Sequence, residues 1–176
     1  MKLSSARKLI RASAFALVLS ASLAFAGGKG LKVGDTLPEL SSFGLEGKLP
    51  ADLKGKIILV DFWASWCGPC KESFPVMEEL HKKYGEKGLI VLAVNVDEDP
   101  AAMKDFLKDH PASFTIVHDA KKKLVGAANI ASMPTSFVIG KDGKIVSIHK
   151  WFHGKETANQ YTKEFDELLN GKLASK

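Results

Sequence analysis

The chain has 176 residues and two cysteines, Cys67 and Cys70. Cysteines three apart in the first turn of a helix lie on one face, near enough to close a small disulfide without moving the backbone. The chemistry open to such a pair is thiol–disulfide exchange. One thiolate attacks, the second thiol resolves the mixed disulfide, and an acid or base moves the proton. The preceding run, Ile57-Ile58-Leu59-Val60-Asp61-Phe62-Trp63, is β-branched and aromatic and reads as a buried strand, while Gly68 and Pro69 read as a helix start. Cys67 thus falls where strand hands over to helix, beside free backbone N–H groups and the positive end of the helix dipole, which lower a thiol pKa. It is the expected attacker and is expected to be exposed. Cys70, one turn in, is the expected shielded partner. Asp61 is the only carboxylate in the strand, and an acid there costs free energy unless it is hydrogen-bonded or protonated, so its presence asks for a reason.

The segment Val60-Asp61-Phe62-Trp63-Ala64-Ser65-Trp66-Cys67-Gly68-Pro69-Cys70-Lys71 resembles the active site of thioredoxins. Flanking features narrow the resemblance to exported thioredoxin-like proteins of the TlpA/ResA type, over residues 33 to 170. It implies an α/β thioredoxin-like fold, with a mixed five-stranded central sheet, helices on both faces and an N-terminal β-hairpin extension. It also implies a thiol:disulfide oxidoreductase working through a redox-active disulfide between Cys67 and Cys70. Asp61 matches the buried aspartate that assists proton transfer at the second cysteine. One departure is that thioredoxins pair this acid with a Lys on the neighbouring strand, and Leu89 to Val96 contains none. Glu98 matches an acid that ResA-like proteins place near their cysteines, and those proteins usually lack the acid at the Asp61 position. This chain carries both. Pro134, in Met133-Pro134-Thr135, matches the cis-proline that faces the cysteines. By the same resemblance Trp66, Gly68, Pro69, Met133, Pro134 and Thr135 are the expected substrate-binding surface, with Trp63 in the core.

The elements that must position these residues follow from pattern. A helix from Cys67 to Tyr84 carries Phe74, Met77, Leu80 and Tyr84 as an apolar stripe, with a kink expected at Pro75. Leu89 to Val96 suits an interior parallel strand. Pro100 to Lys108 reads as a short helix capped by Asp99. Phe114 to Val117 is a weak strand, and Ala120 to Ala128 reads as a helix whose Lys121-Lys122-Lys123 is a solvated face. Ser136 to Ile139 and Ile145 to Ile148 flank a hairpin turn at Gly140 to Lys144, and a last helix runs from Lys155 to Asn170. Upstream, Val33 to Leu40 resembles the opening of the peroxiredoxin and TlpA-like group, which implies a strand laid down before the core, and Ser41 to Leu49, with Gly44 and Gly47 as turn residues, reads as a short hairpin.

Lys2, Arg7, Lys8 and Arg11 precede an apolar run that ends in Ala24-Phe25-Ala26, the plan of a cleavable secretory signal over residues 1–26. Residues 27–32 read as a mobile leader, 33–171 as the domain and 172–176 as a C-terminal tail. No Cys follows the apolar run, which excludes a lipoprotein. Removing the signal takes the formal net charge from +5 to +1 and removes both arginines, which argues against nucleic-acid recognition. His149 and His153 flank Trp151 and Phe152 after a strand, a poor setting for a metal site. The reading is a periplasmic monomer that needs no cofactor and no metal. Its partners are a disulfide-containing client protein and a membrane thiol electron donor. The Gly-Pro dipeptide resembles reducing members of the superfamily, so reduction of haem-attachment or copper-site cysteines is expected. One alternative is a thiol peroxidase. Its family's Thr three residues before the attacking Cys is here Ala64, and its Arg is missing from the mature chain. The other is a Cu(I)-binding chaperone using Cys67, Cys70 and Met133.

Overall fold

Every residue of the first strand, β1 (Ile57–Trp63), is buried, because it is hydrogen-bonded along both edges and covered on both faces. This arrangement belongs to a computed structural model that describes residues 30–172. The expected signal, half of the leader and nearly all of the tail lie outside the described residues. After β1 come α1 (Gly68–Tyr84), β2 (Leu89–Asn95), α2 (Pro100–Asp109), β3 (Thr115–His118), α3 (Lys123–Ala128), β4 (Thr135–Ile139), β5 (Ile145–Lys150) and α4 (Lys155–Leu169). The sheet order is β3-β2-β1-β4-β5, with β1, β2 and β3 parallel and β4 and β5 antiparallel to their neighbours. This is the five-stranded mixed sheet that the resemblance implies.

Alternation along β1 divides its side chains between two layers. Trp63 packs on Phe74 of α1 at 4.6 Å and on Phe106 of α2 at 4.7 Å between ring centroids, and Phe74 meets Phe114 at 5.5 Å. On the same side α1 and α4 are joined by Tyr84, whose ring lies 5.7 Å from Phe165 and whose hydroxyl donates to Asp166 at 2.9 Å. Phe62, on the opposite side, packs edge-on against Phe137 of β4. Asp61 therefore shares the layer of Trp63, α1 and α4. Helix α1 continues without a break through Pro75. Among the described residues, no helix is long and apolar enough to cross a membrane.

Upstream of β1 the structure departs from the expected hairpin. Residues Leu40–Phe43 form a 3-10 turn whose Leu40 and Phe43 are buried. The flanking segments then pair with the main sheet and not with each other. Gly34 N–H donates to Ile145 and Leu37 N–H to Gly143, while Glu46 and His118 exchange both backbone hydrogen bonds at the opposite edge. Gly47 explains why the chain can turn there: its φ is 115°, and a Cβ would stand 3.0 Å from the Ile116 carbonyl oxygen. The turn residues were legible, and the partner was not.

Helix α3 also begins later than expected. The buried Asp119 carboxylate accepts from the N–H groups of Lys123 and Val125 at 3.0 and 2.8 Å, and Lys122 before them is left-handed at φ 54°. Lys122 is not part of a solvated face either, since its Nζ donates to the Asp97 carbonyl at 2.7 Å. The aromatic cluster fixes α1 and α2 to the end of β1. Phe74→Ala is expected to lower unfolding free energy by about 3–5 kcal/mol, measured in urea, while the cysteine pair still oxidises; a loss below about 1 kcal/mol would contradict this account.

Candidate active site

Cys67 is the N-cap of α1, with extended backbone at φ −83° and ψ 107°. Its first-turn neighbours decide what its sulfur meets. Pro69 has no N–H to offer, so the first inward donor beyond it is Cys70, whose N–H reaches Cys67 Sγ at 3.2 Å. A sulfur here takes the place of the oxygen that usually caps a helix. The two cysteines form a disulfide with Cα atoms 5.3 Å apart. Cys67 was expected to be exposed but is 5% accessible, and Cys70 is 0%. The order of access is as expected, but Cys67 keeps only a small window to solvent. Trp66 alongside is the opposite, 69% exposed, whereas Trp63 is fully buried. Gly68 is exposed and Pro69 half-buried, so the first turn offers backbone and ring surface around that window.

The register places the second half of the site. Phe62 of β1 pairs with Thr135 of β4, so Pro134 lies beside the point where β1 ends and the cysteine loop leaves. The Met133–Pro134 bond is cis, Met133 is half-buried and Thr135 is buried. Pro134 O accepts from Trp151 N–H at 2.9 Å, and Trp151 is held at φ 68° with its ring 53% exposed. Adjacent strands thus bring Trp66, the cysteines, Met133, Pro134 and Trp151 to one end of the sheet.

Two buried acids lie on the segments that lead to this end. Asp61 is 1% exposed and receives one hydrogen bond, from Ser136 Oγ at 2.5 Å, while its Oδ2 has no partner among the described residues. Burial pushes its carboxyl up from 3.8 to about 7, against the lowering effect of the Ser136 hydroxyl. Ala93 stands opposite it on β2, so no basic group comes from that side. Asp97, in contrast, is richly bonded. It accepts from Ser65 N–H and Ser65 Oγ at 3.1 Å and from Asn95 Nδ2 at 2.8 Å, tying the loop before Cys67 to the end of β2. His118 Nε2 lies 2.9 Å from the Asp97 carbonyl oxygen. Glu98 follows Asp97 and is exposed. The inward-turned acid of that loop is therefore Asp97, which sequence reading passed over. The alternation of Asn95 and Asp97 just beyond an apolar strand was the available signal.

A helix-capping sulfur, a second sulfur behind it and a buried acid on the strand that feeds them define a dithiol–disulfide site of thioredoxin-like design. The chain matches the Redoxin family over residues 32–164. It is 40% identical over 124 residues to the thiol-disulfide oxidoreductase ResA of Bacillus cereus, covering 69% of this chain and 72% of that one. The ResA protein of Bacillus subtilis is 34% identical over 126 residues, 70% of each chain. The solved Chlorobium tepidum structure described as a thiol:disulfide interchange protein DsbE superposes with a TM-score of 0.72 at 34% identity, covering 80% of this chain and 99% of that one. The chain belongs to the Redoxin family and is a ResA-like, thioredoxin-like thiol:disulfide oxidoreductase.

The Asp61 environment has a measurable sign. The folded protein holds this proton more tightly than the unfolded chain, so the stability it contributes is present below 3.8 and is lost as pH rises through about 7. Asp61→Asn, which cannot ionise, is expected to exceed the wild type in stability by on the order of 4 kcal/mol near pH 8. The advantage should vanish near pH 3.5. Urea melts at the two pH values check this, and an advantage independent of pH would contradict it.

Proposed function

We propose that this oxidoreductase acts in the cell envelope after export, where it reduces disulfides of client proteins with electrons drawn from a membrane thiol donor. Clients whose cysteines must be reduced before they accept haem or copper fit this duty. The Gly-Pro dipeptide between the cysteines supports the reducing direction, and the basic and apolar N-terminal segment supports export. The observation that carries the mechanism is the hydrogen bond from Cys70 N–H to Cys67 Sγ at the start of α1.

That bond and the helix dipole favour the thiolate at Cys67 once the disulfide is opened. The Cys67 thiolate attacks one sulfur of the client disulfide, a mixed disulfide forms, and the other client sulfur leaves as a thiolate. Cys70 then loses its proton to the Asp61 carboxylate and attacks Cys67 Sγ. The client departs as a dithiol, two electrons richer, and the Cys67–Cys70 disulfide is restored. Trp66, Gly68, Pro69 and Met133 form the surface against which the client lies during these steps, with the buried Pro134 and Thr135 directly beneath it. Glu98, exposed in the loop after β2, is a second acid beside this route.

In insulin-disulfide reduction, Cys67→Ser is expected to abolish turnover and Cys70→Ser to accumulate a mixed disulfide with its client. Alkylation of the reduced protein should label Cys67 first, and labelling of Cys70 first would reverse the assignment. The reduction potential of the pair decides direction, since about 30 mV corresponds to about 1.4 kcal/mol. A value near about −120 mV would make the protein an oxidant and overturn this reading. Thiol pH titrations of Asp61→Asn and Glu98→Gln separate the two acids: the acid that moves the Cys70 proton is the one whose loss shifts the profile, and wild-type behaviour in both removes the buried-acid step.

A further inference from the structure

The buried acid is not held by a single hydroxyl. Ser136 Oγ, which donates to Asp61 Oδ1, itself accepts from the hydroxyl of Tyr161 on α4 at 2.8 Å. Asp61, Ser136 and Tyr161 are 1%, 2% and 3% exposed. Strand register builds the row: Asp61 pairs with Ser136 across β1 and β4, and Ser136 pairs with His149 across β4 and β5. Cross-strand partners point to one face, here the face that α4 covers.

The tyrosine cannot swing away from this row. Its ring stacks on Phe165 at 6.0 Å and is met edge-on by His149 at 4.8 Å. His149 is in turn fixed by Glu164 Oε2 at 3.0 Å, and Glu164 accepts from Ser147 Oγ at 2.7 Å. Burial above all, with the nearby Asp61 and Glu164 charges, pushes the Tyr161 hydroxyl well above its ordinary range despite the Ser136 hydrogen bond, so it stays a donor at any working pH. Among the described residues, the titratable side chains found against this row are His149 on β5 and Glu164 beside Tyr161 on α4, with Tyr84 of α1 reached through Phe165; β2 presents Ala93 opposite Asp61 and has none.

We propose that Ser136 and Tyr161 are positioning residues, a two-hydroxyl donor chain that keeps the ionised, proton-accepting form of the Asp61 carboxylate within reach where no basic side chain among the described residues does so. Each donor in such a chain polarises the next, so the Tyr161 hydroxyl strengthens the hydrogen bond that Ser136 makes to the acid. Both hydrogen bonds favour the charged acid, and loss of either returns Asp61 toward the neutral form that burial alone would impose. The other carboxylate oxygen, Oδ2, meets no donor among the described residues and is the natural seat of the proton. The functional consequence rests on the proposed role of Asp61 in deprotonating Cys70.

The test is a carboxyl-carbon NMR titration of the full-length oxidised protein, with Asp61→Asn identifying the Asp61 signal. Ser136→Ala is expected to raise the Asp61 midpoint by about one to two pH units. Tyr161→Phe, which removes one oxygen from the buried side chain, should raise it by about half a unit. Ser136→Thr keeps the hydroxyl and should restore the wild-type midpoint. Disulfide exchange near neutral pH should slow about fivefold in Ser136→Ala as the ionised fraction falls. Unchanged midpoints in both Ser136→Ala and Tyr161→Phe, whatever their melting temperatures, overturn the proposal, and Tyr161→Phe decides it alone if Ser136→Ala fails to fold. Shifted midpoints with an exchange rate that Asp61→Asn leaves untouched would instead uphold the donor chain and remove the catalytic role of Asp61.

Discussion

A strand that is hydrogen-bonded along both edges and roofed on both faces has no freedom to shift, and β1 is such a strand. Its last residue therefore delivers the chain to a fixed point in space. From there only Ala64, Ser65 and Trp66 separate the sheet from the capping sulfur. The loop is short, and Asp97 bonds its Ser65 on the side of β2. Positioning of the reactive sulfur is thus inherited from the most constrained element of the fold and costs little additional order.

The two inward acids show how differently the same side chain can be surrounded. Asp97 is surrounded by donors from Ser65 and Asn95, and its carboxylate is spent on holding a loop. Among the described residues Asp61 has one donor and an oxygen without a partner, so its environment leaves both protonation states within reach. A saturated carboxylate is structural cement, while an undersaturated one can take up and release a proton. The difference lies in the number of neighbours, not in depth, since both are almost wholly buried.

Much of this was readable in the chain because it is local. The apolar run of β1, the Gly-Pro helix start, the Asp99 cap and the turn before β5 are each specified by a few consecutive residues, and the structure forms them where the sequence indicates. What escaped is what depends on distant partners. Gly44 and Gly47 announce turns, but whether the segment folds on itself or onto β3 is settled by the burial of Leu40 and Phe43. Lys122 reads as one of three solvated lysines until the fold brings the carbonyl of Asp97 to its Nζ. Ser136 and Tyr161 have no signature in sequence, since a serine in a strand and a tyrosine in a helix are unremarkable until register and helix docking align them with Asp61. Residue types revealed the sulfur chemistry, whereas the control of the acid became visible only in three dimensions.

The segment from Gly34 to Glu46 has its partners in Gly143 and Ile145 at one border of the sheet and in His118 at the other. As the chain emerges from a ribosome, or threads a channel, this stretch appears before β1 while everything it clasps is still to come. Closing so long a loop costs chain entropy. The earliest-made part of the domain can therefore be fastened only once β3 and the turn into β5, which it clasps, have themselves been made.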